Sequence, residues 1–573
     1  MKLLLVDGAG PFFRHCRRRR INWSKIPFES LEQGDCIDRE KFRQVRDDFR
    51  VLAAKAAEFG FNGVTLDDLA HLSFQPDYPS ALNHLVNSYR RAYAELFEIA
   101  EHSGLNVFLT TDVMYYPTDA ERPARTGIRD VTTALRRALE DVFQTFPGLR
   151  GVILRIGECD GADVKGRFRS RLVIKQARQA RRLIQSLLPL FRDRDRLLIF
   201  RTWTVGAHGI GDLIWNRYTF DRVFSGIESP HLVVSMKYGE SDFFRYMPLN
   251  KLFFRSRHRK IVELQARREY EGSGQYPSFV GWDYEQYLRQ LQGATNVVGA
   301  WIWIQTGGWS VFRRLTFLDK SAVWNELNAY VCLRLVRDRI STEAAIEAYC
   351  RDYLGRSDWQ KLSVLLRLSD EVVKELLYLD QMARRKLFFR RVRVPPLLSV
   401  FWDQIIVNHS MRKLMRCLAD DPEEAVVQGG SALRKIDGMA TVAEDLGLPT
   451  EDLAFQRDTF EILAAAREYY FGDFGPEIVN RLEELRRSYR RKYVSRYSIR
   501  LDFSPFQFSR RRIGMLLGLW TRQKRGYRII DRILMIRMLS WLSPVFLFTR
   551  HKTNADLLHR RAMGINTVLD RPG

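Results

Sequence analysis

The stretch HLVVSMKYGESDFFRYMPLNKLFFRSRHRKIVELQARREY (231–270) holds two short apolar runs, HLVVSMK and RKIVELQ, each followed within a few residues by an acid: Asp242 after the first, Glu269 after the second. Runs of this length, rich in Val, Ile and Leu and bounded by charged loops, read as buried strands. A third run has the same design, GVILRIGE (151–158), closed by Glu158. A parallel β/α barrel gathers its strand ends at one mouth, where carboxylates distant in sequence can flank one bond.

Working outward, similar runs lie at 2–7, 63–68, 106–113, 196–205 and 297–305, which brings the total to eight with 151–158, 231–238 and 259–266. Helical spacing runs through 41–60, 80–103, 128–145, 172–190 and 283–293, whereas the intervals after the first, fifth and sixth runs lack a clean helix over their whole length and predict irregular units. Strands apolar on both faces, alternating with amphipathic helices, imply a parallel sheet covered by helices. A doubly wound open sheet is the rival; a count that stops at eight favours closure. The fold class read here is α/β, a (β/α)8 TIM barrel over 1–312, followed by an all-α domain over 313–500. Past Gly307-Gly308 the sequence is almost entirely of helical period, with starts expected at Ser341-Thr342 and Thr450 and a kink or stop at Pro395-Pro396.

The composition, 46% hydrophobic over 573 residues, is that of a globular chain with substantial cores. Six scattered cysteines (Cys16, Cys36, Cys159, Cys332, Cys350, Cys417) form no CxxC pair, which suggests neither a zinc motif nor a disulfide framework and points to a reducing compartment. MKLLLVDGAG is too short in its apolar part for a signal peptide and reads as the first strand. No run reaches the roughly 18 apolar residues of a spanning helix. HxH, HExxH and Gly-rich phosphate loops are missing, so no metal and no cofactor are expected.

The net charge of +24 is concentrated at the end: residues 481–573 hold 22 Lys/Arg against 6 Asp/Glu, a net +16. Within 501–573, a basic helical tail, the run YRIIDRILMIRMLSWLSPVFLF sets Ile529, Ile530, Ile533, Leu534, Ile536, Leu539 and Leu542 on one broad face interrupted by Arg532 and Arg537. Such a helix suits an anionic membrane surface, here through residues 485–548, and equally suits packing on the helical domain or on a second copy in a homodimer. No nucleic-acid module is recognisable, and nucleic acid is not an expected partner. A cytoplasmic chain, peripheral at the inner membrane face, is the expected location.

Paired carboxylates are the equipment of glycoside hydrolysis: one protonates the leaving oxygen while another activates water or attacks the sugar. Glu158, Asp242 and Glu269 are the candidate catalytic residues. Arg155, Arg201 and Lys237 are cations on apolar strands near their carboxyl ends, suited either to ion pairs with barrel acids or to an anionic substrate group such as a uronate carboxylate. Trp203, Trp282, Trp301, Trp303 and Trp309 cluster about the strand ends; because strand side chains alternate, one of Trp301 and Trp303 is expected inside the barrel, while Trp203 and Trp309 are candidates for stacking on a sugar. Asp67, Asp68, His71, Asp112, Tyr115 and Tyr116 add polar groups after the second and third strands, with Asp68 and Tyr116 as candidate substrate contacts and Asp67 or Asp68 as an alternative helix cap.

The segment KYGESDFFRYMPLNKLFFRSRHRKIVELQARREYEG (237–272) resembles the signature region of the family 67 glycoside hydrolases, the α-glucuronidases. Lys237 five residues before Asp242, then Glu263, Gln265, Glu269 and Tyr270, fall on that pattern, and FNGVTLDDL, GLNVFLTTDVMYYP, GVILRIGECDG and IFRTWTV agree over roughly 50–310. The resemblance implies an inverting, metal-independent hydrolase of an acidic oligo- or polysaccharide, with Glu158 as acid, Asp242 and Glu269 activating water, and Arg201 binding the uronate carboxylate. The departures are the family's amino-terminal α/β domain, which finds no counterpart here, Leu154 where the family has lysine, and Arg268 where it has glutamine. The alternative is a non-catalytic barrel that binds acidic glycan as a membrane-peripheral scaffold in polysaccharide assembly.

Overall fold

A computed structural model of the chain describes residues 2–18, 20–21, 26–118, 128–157, 166–204, 208–305, 308–309, 312–380 and 421–503, with isolated stretches between 383 and 419 and at 521–522. Eight parallel strands close into a barrel: β1 (Leu3–Asp7), β2 (Gly63–Asp67), β3 (Asn106–Asp112), β4 (Leu149–Arg155), β5 (Leu197–Arg201), β6 (Leu232–Lys237), β7 (Arg259–Gln265) and β8 (Val297–Trp303). Each pairs with its sequence neighbours, and β1 closes the ring on β8, with Leu3 opposite Gly299 and Leu5 opposite Trp301. Closure depends on that glycine, since a Cβ at 299 would stand 1.9 Å from the Leu3 carbonyl oxygen.

Helices cover the strands because most intervals carry one apolar stripe. After β1 comes α1 (Arg39–Phe59), then α2 (Ser80–His102), α3 (Ile128–Thr145), α4 (Ala177–Arg192), α5 (Arg217–Phe224), α6 (Gly281–Leu291) and α7 (Val323–Arg337). The expected irregularity falls mainly after β6, where the helix is only Leu252–Arg255; the interval after β1 ends in the 21-residue α1, and α5 after β5 is a regular eight-residue helix. Asp38 starts α1 two residues earlier than the periodicity does, its carboxylate accepting from the Glu40 and Lys41 amides. β8 is covered by α7.

Beyond α7 run α8 (Thr342–Leu354), α9 (Trp359–Leu377), α10 (Pro422–Leu446), α11 (Thr450–Phe471) and α12 (Pro476–Lys492), with α10 packed between α9 and α11. Ser341 caps α8 as expected, its hydroxyl accepting from the Ala344 amide at 3.1 Å. Thr450 is the first helical residue of α11 and not its cap, because Pro449 occupies that position. Strands also appear where the sequence reading had only helices. Gln404–Asn408 pairs with Val400–Phe401 and, in parallel, with Ser498–Asp502, and Lys386–Phe389 pairs with Val392–Arg393 and Thr521–Arg522. The run of three β-branched residues in QIIVN was the available signal.

Cys16, Cys36, Cys332 and Cys350 are free thiols. The amphipathic run at 527–548, Pro395-Pro396, Cys159 and Cys417 lie outside the described residues. Among the described residues no helix is long and apolar enough to cross a membrane.

Candidate active site

Seven barrel strands deliver polar or charged side chains to the carboxyl-terminal mouth, and parallel register brings them into neighbouring pairs. On β3 and β4, Asp112 stands opposite Arg155, whose Nε donates to Asp112 Oδ1 at 3.1 Å while Nη1 lies 3.5 Å from Asp67 Oδ1 at the end of β2. Arg201 on β5 grips Glu263 on β7 with Nε at 3.0 Å and 3.1 Å from the two carboxylate oxygens and Nη2 at 3.0 Å, and the Ser235 hydroxyl from β6 donates to the same carboxylate at 2.8 Å. Lys237, at the end of β6, pairs with Asp242. These groups are all buried. Charge pairs so removed from water are held only where partners are geometrically good, and removing one partner is costly.

A further acid of the mouth, Asp7 on β1, accepts from the Gln305 amide at 2.9 Å and also from the Ile304 amide, which ties the chain leaving β8 to β1. Burial pushes its carboxyl up to about 8 against those hydrogen bonds. Trp301 and Trp303 were expected to split, one inside the barrel. Two residues apart on a strand, they share a face, and their rings pack at 4.2 Å, tilted by 31°, under the Arg201 guanidinium, 5.7 Å and 4.8 Å from it.

The group best placed for proton chemistry is formed by Asp242, Glu269, Tyr270 and Lys237. Besides Lys237, Asp242 accepts from the Phe243 amide at 2.9 Å and from the Tyr270 hydroxyl at 2.9 Å. Lys237 Nζ lies 3.9 Å from the centre of the Trp203 ring and 4.4 Å from that of Phe243. Glu269 lies on the loop after β7, its amide donating to Gln265 Oε1 at 3.0 Å. Enclosure of its carboxyl and then the charge of Asp242 raise Glu269 to about 7, while Lys237, Gln265 and Arg267 pull it down. Two neighbouring carboxyls, one titrating near neutrality, are an arrangement that can pass protons to and from a bound molecule.

A second set of charges, unforeseen in the sequence, holds the loop that carries Glu269. Glu271 receives Arg245 Nε at 3.2 Å and 3.1 Å, Arg268 Nε at 3.0 Å, the Ser278 hydroxyl at 2.5 Å and the Tyr378 hydroxyl at 2.6 Å, and the two guanidiniums hold its carboxyl far below the usual range against its burial. Arg245 Nη1 reaches Asp283 on α6 at 2.9 Å and Asp370 on α9 at 2.7 Å. The signal available was weak: Arg245 in the loop after β6 and Arg268 in QARREYEG stand among several other arginines, in a segment otherwise read as strand end.

Of the other anticipated residues, Asp68 caps a short turn, its Oδ1 meeting the His71 amide at 3.2 Å and Nδ1 at 2.7 Å, and His71 stacks on Phe28 at 3.6 Å. Tyr115 and Tyr116 lie on a short strand paired antiparallel with Phe168–Ser170. Trp282 is on α6, turned to the helical region, with Nε1 donating to Glu343 at 2.8 Å, so it does not join the mouth. Trp309 pairs by its backbone with Arg20. Glu158 lies outside the described residues.

Neither protein-family models nor curated proteins match this chain. Among solved structures, a GH138 enzyme targeting pectin rhamnogalacturonan II is similar with a TM-score of 0.49 and 12% identity, over 86% of this chain and 62% of that one. This chain therefore spans less than two thirds of that enzyme's length. A protein named CpGH84B has a TM-score of 0.37 at 11% identity, over 78% of this chain and 70% of its own. An O-GlcNAc hydrolase mutant from Thermobaculum terrenum has 0.35 at 9% identity, over 89% of this chain and 95% of its own.

Proposed function

We propose that the chain is a glycoside hydrolase that acts, without a metal, on a uronate-bearing or otherwise acidic saccharide and inverts the anomeric carbon. The observation that carries this reading is the Asp242–Glu269 pair at the ends of β6 and β7, in which the charge of one carboxyl helps raise the other to about 7. A carboxyl that exchanges its proton near neutral pH is suited to take one from water as that water attacks a sugar carbon. Asp242, oriented by Lys237, Tyr270 and the Phe243 amide, shares in positioning the water. Glu158 delivers the proton to the leaving oxygen, a role that rests on the resemblance to the α-glucuronidases. In the same reading Arg155, Arg201 and Lys237 supply the positive field for a uronate carboxylate, Trp203 and Trp309 the apolar faces, and Asp68 and Tyr116 hydroxyl contacts.

A second reading has one observation in its favour: Arg155 and Arg201 are already engaged by the barrel's own acids. An inert barrel of this kind would bind acidic glycan as a scaffold, its basic tail at an anionic membrane face. The experiment that separates them offers reducing-end-labelled glucuronoxylan oligosaccharides and other uronate-bearing oligosaccharides to the full chain and follows product anomers by NMR. A hydrolase releases the β-anomer first from an α-linked uronate, and Glu158→Gln and Glu269→Gln each lower kcat by about 10²–10⁴ with KM nearly unchanged. Wild type as inert as Glu158→Gln on every acidic glycoside, with ligand still bound, overturns hydrolysis and leaves the binding barrel.

A further inference from the structure

In the segment between β1 and α1, a two-stranded hairpin (Glu32–Gln33 paired with Cys36–Ile37) lies against α2. Its tip turns at Gly34, with φ +64°, which brings Asp35 and Cys36 round toward the helix. The Ile37 amide donates to the Ser88 hydroxyl at 3.1 Å, and Ser88 lies one helical turn beyond His84 on the same face of α2. That bond sets the residue before Ile37 beside His84. A carboxylate oxygen of Asp35, Cys36 Sγ and a ring nitrogen of His84 all lie within 4.8 Å of one another, and Sγ is 3.8 Å from Asp35 Oδ1. Among the described residues no other group of three His, Cys, Asp or Glu side chains is gathered in this way.

We propose that Asp35, Cys36 and His84 form a zinc-binding site, with the fourth position open to water or to a donor from a partner. The donor set decides the class of metal. Thiolate and imidazole suit Zn2+ and are poor ligands for Mg2+ and Ca2+, which take oxygen. Zinc bonds of about 2.3 Å to sulfur and 2.0–2.2 Å to nitrogen and oxygen set tetrahedral donor separations near 3.5 Å. The Asp35–Cys36 contact is already close to that, and Asp35 and His84 are exposed, so rotation about their side-chain bonds can close the remaining gap. On binding, the Cys36 S–H gives its proton to solvent and the Zn–S bond forms, with no change of oxidation state. Thiolate and carboxylate together neutralise the ion, which matters in a chain of net charge +24 that otherwise repels cations. No short motif announces the site, because two donors come from a hairpin and the third from a helix 48 residues away.

The test uses the full chain, stripped with a chelator and dialysed, titrated with Zn2+ by calorimetry and with Co2+ by absorption. The expected result is uptake at one equivalent with proton release, and a thiolate-to-cobalt charge-transfer band. Cys36→Ser should abolish the band, and both Cys36→Ser and His84→Ala should weaken Zn2+ binding at least about tenfold. Both positions lie at the surface, and equal melting of wild type and variants in chelator shows that a lost band reports lost ligation. Failure of the wild type to take up Zn2+ at micromolar concentrations overturns the assignment, as does uptake that neither substitution changes.

Discussion

Replacing Glu269 with glutamine tests the electrostatics of the mouth without requiring a substrate. The Glu269 carboxyl moves from an ordinary 4.5 to about 7, first through enclosure and then through the Asp242 charge. The unfolded chain releases this proton near 4.5 while the folded one holds it until about 7. Between those values the folded state binds more protons, so stability falls as pH rises, and the loss levels off above 7. At 1.36 kcal/mol per pH unit the full effect is about 3 kcal/mol. Glutamine has no such proton. Urea unfolding followed by tryptophan fluorescence at pH 5 and pH 8 should therefore show the Glu269→Gln chain gaining on wild type by roughly 2–3 kcal/mol between the two pH values. Any hydrogen bond altered by the amide contributes equally at both and cancels. In an Asp242→Asn background the gain should shrink, because the like charge is gone. An offset that is the same at pH 5 and pH 8, or that moves in the opposite direction, refutes the assignment of the raised carboxyl to Glu269.

Other expectations follow from the same contacts. If Glu269 takes the proton of the attacking water, kcat/KM should rise with pH through a limb near 7, and Asp242→Asn should move that limb to lower pH. Glu263→Gln leaves the buried Arg201 without its counter-ion and should lower unfolding free energy by about 3–5 kcal/mol, whereas Arg201→Met combined with Glu263→Leu should recover most of the loss in a double-mutant comparison. Tyr378→Phe removes the hydroxyl that donates to Glu271 and should cost about 1.5–3 kcal/mol in chemical denaturation. Gly299→Ala drives a methyl into the Leu3 carbonyl at the seam of the barrel and should prevent accumulation of soluble full-length chain on expression.

The barrel was legible because its evidence is local: eight apolar runs, each long enough for one strand, and amphipathic intervals between most of them. Strand ends were legible for the same reason, and Arg155, Arg201, Lys237, Asp67 and Asp112 stand where the runs stop. Their partners were not, since a parallel register between strands tens of residues apart decides that Arg201 meets Glu263 and that Arg155 meets Asp112. The Trp301–Trp303 pair shows that a period-two rule settles facing only when it is applied to the right spacing. The role of the loop after β7 was hidden for the same reason as those partners: its Arg268 and Arg245 from the loop after β6 both serve Glu271, Arg245 in turn meets Asp283 on α6 and Asp370 on α9, and the Tyr378 hydroxyl reaches Glu271 from just past α9. The strands near 386 and 404 were missed because two to five residues of strand-like sequence cannot outvote a helical neighbourhood until a distant segment pairs with them.

The ion cluster around Glu271 makes the helical region a part of the mouth. Asp370 and Tyr378 come from that region, and α7, which covers β8, begins only at Val323. A chain cut where the sequence changes character, near 312, would lose the last helix of the barrel and take Asp370 and the Tyr378 hydroxyl away from the buried Arg245–Glu271–Arg268 cluster. Inactivity of such a fragment would report the collapse of a loop and would say nothing about chemistry, so assays for turnover belong to the undivided protein.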